Sequence, residues 1–263
     1  MTTPTLLALD FDGVLCDGLI EYFETAWRAY QRLWADAPSQ PPAGLADAFY
    51  RMRPVVETGW EMPLVVHALM QGVSEAEILL DWGAIVQSYV QAENLVPAAL
   101  GAAVDGVRDE WIAADVESWL ALHRPYPGVS DRLVQVLASS TTVYIISTKE
   151  SRFILQLLQQ QGVNFPASQI IGKEIKQPKA KTLREIRQKL EAEQAQPIAT
   201  WFVEDRFKTL QAIEAQPDLN DVELFLADWG YNTLEERSLA ASSDRVHLIT
   251  LQDFAQDFAH WLT

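Results

Sequence analysis

The sequence predicts an α/β protein, a doubly wound parallel sheet that carries one long all-α insertion. Three observations predict it: short apolar runs that stop at polar clusters, helix-length segments between them, and one long interval with helical periodicity and no convincing strand. Runs apolar on both faces suit a parallel sheet covered by helices, and their alternation with helices implies βαβ units. The first run, residues 5–9, ends at Asp10. Runs 142–146, 199–203 and 222–227 are β-branched or aromatic and of strand length. A weaker strand is expected at 168–172 and a last one at 246–249, ahead of a terminal helix. Segments 151–161 and 181–195 are helix-length. In the former, Phe153, Leu157 and Gln161 share a face that Ile154 and Leu158 widen. The whole is a Rossmann-like core.

The insertion occupies residues 18–124, leaving 1–17 and 125–263 for the core. Trp27, Tyr30 and Trp34 fall at i, i+3 and i+7, and the apolar spacing continues through Leu64, Val65, Ala68 and Leu69. It extends over Ile78, Leu79, Trp82, Ile85, Val86 and Tyr89, with Pro38, Pro41, Pro42, Gly44 and Pro97 as punctuation. The tryptophans of this interval and Met52, Met62 and Met70 read as core packing.

The 263 residues carry 36 acids against 20 bases, a formal net charge of −16. That field repels a phosphate backbone, so nonspecific nucleic-acid binding is not expected. A small phosphorylated substrate remains compatible, because one bound cation and a few local bases outweigh distant charge. Cys16, the single cysteine, makes neither an intramolecular disulfide nor a zinc-type cluster and reads as a small buried filler. No apolar stretch approaches the roughly 20 residues of a membrane span. A cytoplasmic protein with no membrane partner is expected.

In a doubly wound sheet, ligands bind beyond the carboxyl ends of the strands. The first strand delivers Asp10-Phe11-Asp12-Gly13-Val14 there. Its two carboxylates reach one small volume if the chain kinks, which Gly13 permits. Paired carboxylates bind a hard cation, and one can attack phosphorus while the other handles a proton. The second strand delivers Ser147, Thr148 and Lys149, with hydroxyls and backbone N–H groups at a helix start, where a phosphate sits well. A basic segment, Lys176 to Lys181, precedes a helix, and a strand at 199–203 ends in the acidic pair Glu204 and Asp205.

These four motifs, in this order, resemble those of the haloacid dehalogenase superfamily, and the likeness covers nearly the whole chain. The resemblance implies that Asp10 is the nucleophile and that Asp12 is the general acid and base, its carbonyl also ligating Mg²⁺. It implies that Ser147, with Thr148 as competitor, and Lys179, with Lys181 as competitor, bind the phosphoryl group. Asp205 and Glu204 complete the metal set with Asp10 and Asp12. The insertion resembles the helical cap of relatives such as phosphoglycolate phosphatases and β-phosphoglucomutases, and residues 124–129 resemble the segment that re-enters the core. One departure stands out: where many relatives carry a further acid, this chain has Thr209 and Leu210. The Glu-Asp form of the fourth motif often manages without it.

The expected activity is a Mg²⁺-dependent phosphohydrolase acting on a small phosphorylated metabolite. Asp12 favours phosphoryl over halide chemistry, because dehalogenation has no departing alkoxide to protonate. A phosphomutase and a noncatalytic binding or assembly protein of the same fold are the alternatives. Within the insertion, Arg51, Arg53 and Glu57 read equally as a loop that closes over the site and as an ordinary solvated turn. Asp17 reads as a cap for the first insertion helix or a hinge marker, and His67, His123, His247 and His260 as structural.

Overall fold

The computed structural model describes residues 3–195 and 197–262. The chain begins with strand β1 (Leu6–Leu9) and a two-residue strand β2 (Cys16–Asp17), followed by a run of helices. These are α1 (Leu19–Leu33), α2 (Leu45–Met52), α3 (Met62–Met70), α4 (Glu75–Leu80), α5 (Trp82–Ala92) and α6 (Pro97–Leu120). Next come β3 (Arg124–Pro125), α7 (Val129–Leu137), β4 (Thr142–Ile146), α8 (Ser151–Gln160), β5 (Ile170–Ile171) and α9 (Lys179–Gln194). The last elements are β6 (Thr200–Glu204), α10 (Phe207–Glu214), β7 (Glu223–Ala227), α11 (Leu234–Ala241), β8 (Val246–Ile249) and α12 (Leu251–Phe254). Two compact units result: Met1–Asp17 with Arg124–Thr263, and Gly18–His123.

In the first unit the strand order is β5–β4–β1–β6–β7–β8, with every neighbouring pair parallel. The chain moves outward from β1 through β4 to β5, then returns to β6 on the other side of β1. The direction in which the chain adds strands reverses at β1, and the carboxyl ends of β4, β1 and β6 lie side by side there. Leu9 lies opposite both Ile145 and Val203, so Asp10, Ser147 and Glu204 follow at nearly one level.

Both faces of the sheet are covered. On one, Leu6, Ala8, Phe202 and Leu224 pack with Leu183, Ile186, Leu210 and Ile213 of the helices. On the other, Trp201 meets Phe225 at 4.9 Å between ring centroids, and Trp261 closes over both. Each buried Leu, Ile or Phe among these contributes about 1.5–3 kcal/mol relative to exposure.

The structure corrects several local expectations. Phe153, Ile154, Leu157 and Leu158 form the buried stripe of α8, but Gln161 is its exposed C-cap. The strand expected at 168–172 shrinks to β5 because Ala167–Gln169 forms a 3₁₀ turn. The helix expected from residue 181 begins at Lys179. Strands β2 and β3, too short to leave a periodic signal, pair antiparallel with Asp17 opposite Arg124.

In the second unit, α1 buries Trp27 and Tyr30, while Trp34 is its half-buried C-cap. The apolar spacing over 78–89 belongs to two helices. Asp81 ends α4 and caps α5, its carboxylate accepting the Ala84 N–H at 3.0 Å. Leu79 and Leu80 are exposed as a result. Asp17 does not take the N-cap position of α1, which Gly18 holds; it accepts the Tyr231 hydroxyl at 3.0 Å within the first unit. Cys16 is buried, and burial, helped by the charge of Asp12, pushes its thiol up. Among the described residues no helix is long and apolar enough to cross a membrane.

Candidate active site

The site grows out of the end of β1. The Asp10 N–H donates to the Val203 carbonyl at 2.9 Å, carrying the sheet one residue past the strand. The Phe11 N–H donates to Asp10 Oδ1 at 2.7 Å and fixes that carboxylate. Gly13 then turns with φ of 84°, and a Cβ there would lie 2.2 Å from Asp205 Oδ2. Only glycine meets both demands. The chain kinks as its sequence requires, and it does so against Asp205.

Strand β6 carries Glu204 and Asp205 to the same place, at 0% and 2% exposure. Among the described residues, Asp10, Glu204 and Asp205 each offer a carboxylate oxygen, and these lie within 4.8 Å of one another. Lys179, the first residue of α9, sets its Nζ 2.8 Å from Asp10 Oδ2 and 2.7 Å from Glu204 Oε2. Lys181 stays on the exposed side of α9, 3.8 Å from Glu185. The structure thus brings Lys179, rather than Lys181, to the acids.

Charge in this cluster is unbalanced. Burial alone would lower the Lys179 pKa, but the charges of Asp10 and Glu204 outweigh it and hold the ammonium well above its ordinary range. Burial, reinforced by Asp10, raises Glu204 well above the usual carboxylate range, with Lys179 offsetting part of the rise. Asp205 is raised by the same two causes. Three buried carboxylates and one ammonium leave excess negative charge out of water, which is costly without a further cation. Oxygen donors so gathered suit a hard divalent ion.

Ser147 is buried past β4, its N–H bonded to the Ile171 carbonyl at 2.9 Å and its Oγ accepting the Lys149 N–H at 3.2 Å. Thr148 is exposed. Ser147, Thr148 and Lys179 line a cavity of about 280 Å³ whose wall also holds Ile171, Lys176 and Gln177. Asp12 is not one of these three grouped acids; its carboxylate lies 3.3 Å from Lys149 Nζ, with both side chains largely buried. The sequence names Lys149 only as part of a strand-end segment, and nothing local announces that its ammonium reaches Asp12.

A second feature was not legible. The loop after β7, residues 229–232, clasps the site. Trp229 donates its indole N–H to the Val14 carbonyl at 3.1 Å. The Tyr231 N–H donates to Asp205 Oδ2 at 2.8 Å, and Asn232 Nδ2 donates to the Asp205 and Ala227 carbonyls at 2.9 and 2.8 Å. The position of this run at the carboxyl end of β7 is the signal for it in the sequence. Thr209 and Leu210 supply no acid; Leu210 is part of the core.

In the second unit, Arg51 pairs with Glu75 at 2.6 Å. Arg53 donates to the Val56 carbonyl at 3.0 Å and lies over the Tyr22 ring. Glu57 is exposed. Its neighbour Glu61 is buried and accepts from Trp82 Nε1, Thr58 Oγ1 and the Glu57 N–H at 3.0, 2.8 and 3.2 Å. These bonds all lie within the helical unit.

A family model described as haloacid dehalogenase-like hydrolase matches residues 4–215. The chain belongs to that family. No curated protein matches it in sequence. Among solved structures it is similar to a predicted phosphoglycolate phosphatase from Haemophilus somnus, at 15% identity and a TM-score of 0.59, over 97% of this chain and 96% of that one. A predicted phosphatase from Clostridium acetobutylicum matches at 15% identity and a TM-score of 0.58, over 97% of each chain. The Mycobacterium tuberculosis protein tyrosine kinase A matches at 16% identity and a TM-score of 0.56, over 95% of each. At these identities the likeness is one of fold, and the range of descriptions separates fold from chemistry.

Proposed function

We propose that this hydrolase is a Mg²⁺-dependent phosphohydrolase that acts on a small phosphorylated metabolite through an aspartyl phosphate. The observation that carries the reading is Lys179, bonded at once to Asp10 and Glu204 beside Asp205. Structural neighbours described as phosphatases support it. The crowded, buried carboxylates fit a hard divalent ion. Asp10, Asp205, Glu204 and the Asp12 carbonyl would hold it. When bound, Mg²⁺ supplies positive charge against the phosphate oxygens.

An Asp10 oxygen attacks phosphorus, forming one P–O bond as the ester P–O bond breaks. Asp12 gives its proton to the departing alkoxide, then takes one from the water that attacks the aspartyl phosphate. That second displacement releases inorganic phosphate and regenerates Asp10. Lys179 and Ser147, with Thr148 beside it, bind the equatorial oxygens, and Lys179 neutralises charge that grows there. The insertion is assigned the role of cap by family resemblance. No step is assigned to Arg51, Arg53 or Glu57.

The test is a screen of wild type and Asp10→Asn against a panel of phosphorylated metabolites with Mg²⁺. Phosphate release from at least one compound, falling roughly a thousandfold or more in the variant, is expected. Equal release by both proteins overturns the assignment. Transfer of the phosphoryl group to a sugar phosphate acceptor, stimulated by a bisphosphate, would make the enzyme a mutase.

A further inference from the structure

We propose that Tyr231 is a positioning residue for the acidic cluster: its hydroxyl, anchored on Asp17, fixes the backbone N–H that orients Asp205. The inference rests on the metal-dependent reading above. Tyr231 is 5% exposed, and two of its bonds run in different directions. Its N–H holds Asp205 Oδ2 at 2.8 Å, and its phenol donates to Asp17 Oδ1 at 3.0 Å on β2. The phenol also shares a hydrogen bond with Tyr126 just past β3. One residue therefore joins a proposed metal ligand to the β2–β3 ribbon.

The loop has little room to shift without moving that ligand. A Cβ at Gly230 would lie 2.3 Å from Asp205 Cβ and 2.7 Å from the Gly13 carbonyl, so the backbone rests directly on both acidic segments. Asn232 holds the Asp205 carbonyl from the next position. Main chain and side chain of Asp205 are both gripped by this loop, and the bond to Asp17 ties the loop to a strand far away in sequence. Partners one step removed from a metal orient its ligands, and their loss typically weakens affinity about 10- to 100-fold.

The test is Mn²⁺ binding to the full chain without substrate, measured by calorimetry and by loss of the free-ion EPR signal. Tyr231→Phe keeps the ring and removes the hydroxyl's bonds to Asp17 and Tyr126. Its dissociation constant should rise roughly tenfold, with a melting temperature within a few degrees of wild type. Asp17→Ala should match it, and the double variant should be no weaker than either single one. Asp17→Asn, which keeps an acceptor oxygen, should restore near-normal binding. Unchanged Mn²⁺ affinity in Tyr231→Phe, or losses that multiply in the double variant, would overturn the proposal. Should Tyr231→Phe fail to fold, the contrast between Asp17→Ala and Asp17→Asn decides. If wild type binds Mn²⁺ and the variants bind it equally, this inference alone falls; if wild type binds none, the metal-dependent reading falls with it.

Discussion

Glu21 in the helical unit and Glu204 at the end of β6 are both wholly buried, and the protein treats them in opposite ways. Glu21 is saturated: Arg108 grips it through two bonds of 2.8 and 3.0 Å, and Thr25 and Trp119 add bonds of 2.7 and 3.0 Å. Glu204 shares the single ammonium of Lys179 with Asp10 and has Asp205 beside it. Burial of a carboxylate is common to both and so does not distinguish structure from chemistry. Imbalance does. A carboxylate whose charge is answered in full braces a fold, whereas one left short of positive charge marks a place where something cationic is to arrive.

The largest expected effect tests the unbalanced side. Lys179→Met should lower phosphate release by roughly 10²–10³-fold, because the cation bonded to Asp10 is lost; steady-state kinetics on the best substrate reads it. Next comes the balanced side. Glu21→Ala strands Arg108 and should cost about 3–5 kcal/mol, measured by urea unfolding. If Glu21→Ala proves harmless, the contrast between the two glutamates collapses.

A smaller effect has a definite sign. The folded-state pKa of Glu204 lies above its unfolded value, through burial first and Asp10 second. The metal-free fold therefore loses stability as pH rises from the ordinary carboxylate range through the raised value, and regains it on acidification. In the presence of a chelator, Glu204→Gln should melt higher than wild type at neutral pH, with the gap narrowing as pH falls. A gap that widens as pH falls would show that the fold favours ionised Glu204, its pKa lying below the unfolded value. The smallest change is expected for Lys181→Ala, whose exposed partner Glu185 is 3.8 Å away. Activity should stay within about twofold and stability within about 0.5 kcal/mol.

Most of the core was legible because its signals are local. Runs 142–146 and 246–249 coincide with β4 and β8, since apolar residues on both faces need no knowledge of partners. Asp10, Ser147, Glu204 and Asp205 are named by what each strand end delivers, and Lys179 by its likeness to the family's third motif. What stayed hidden depends on tertiary placement. The reach of Lys149 to Asp12 spans two loops, and the grip of residues 229–232 on Asp205 depends on β7 lying beside β6. Gln161 shares the helical repeat but lies at the C-cap, and a repeat does not reveal where the helix ends.

The pairing of Asp17 with Arg124 across β2 and β3 has an architectural consequence. Seen from the sheet, everything from residue 18 to 123 is one very long hairpin connection, closed at its base by a ladder two rungs high. Closure entropy grows only with the logarithm of length, so the sheet tolerates a large module there almost as readily as a tight reversal. The base of that hairpin is a natural grafting point: exchanging the helices for a short glycine-containing turn, or for another self-contained module, leaves the strands on either side in register.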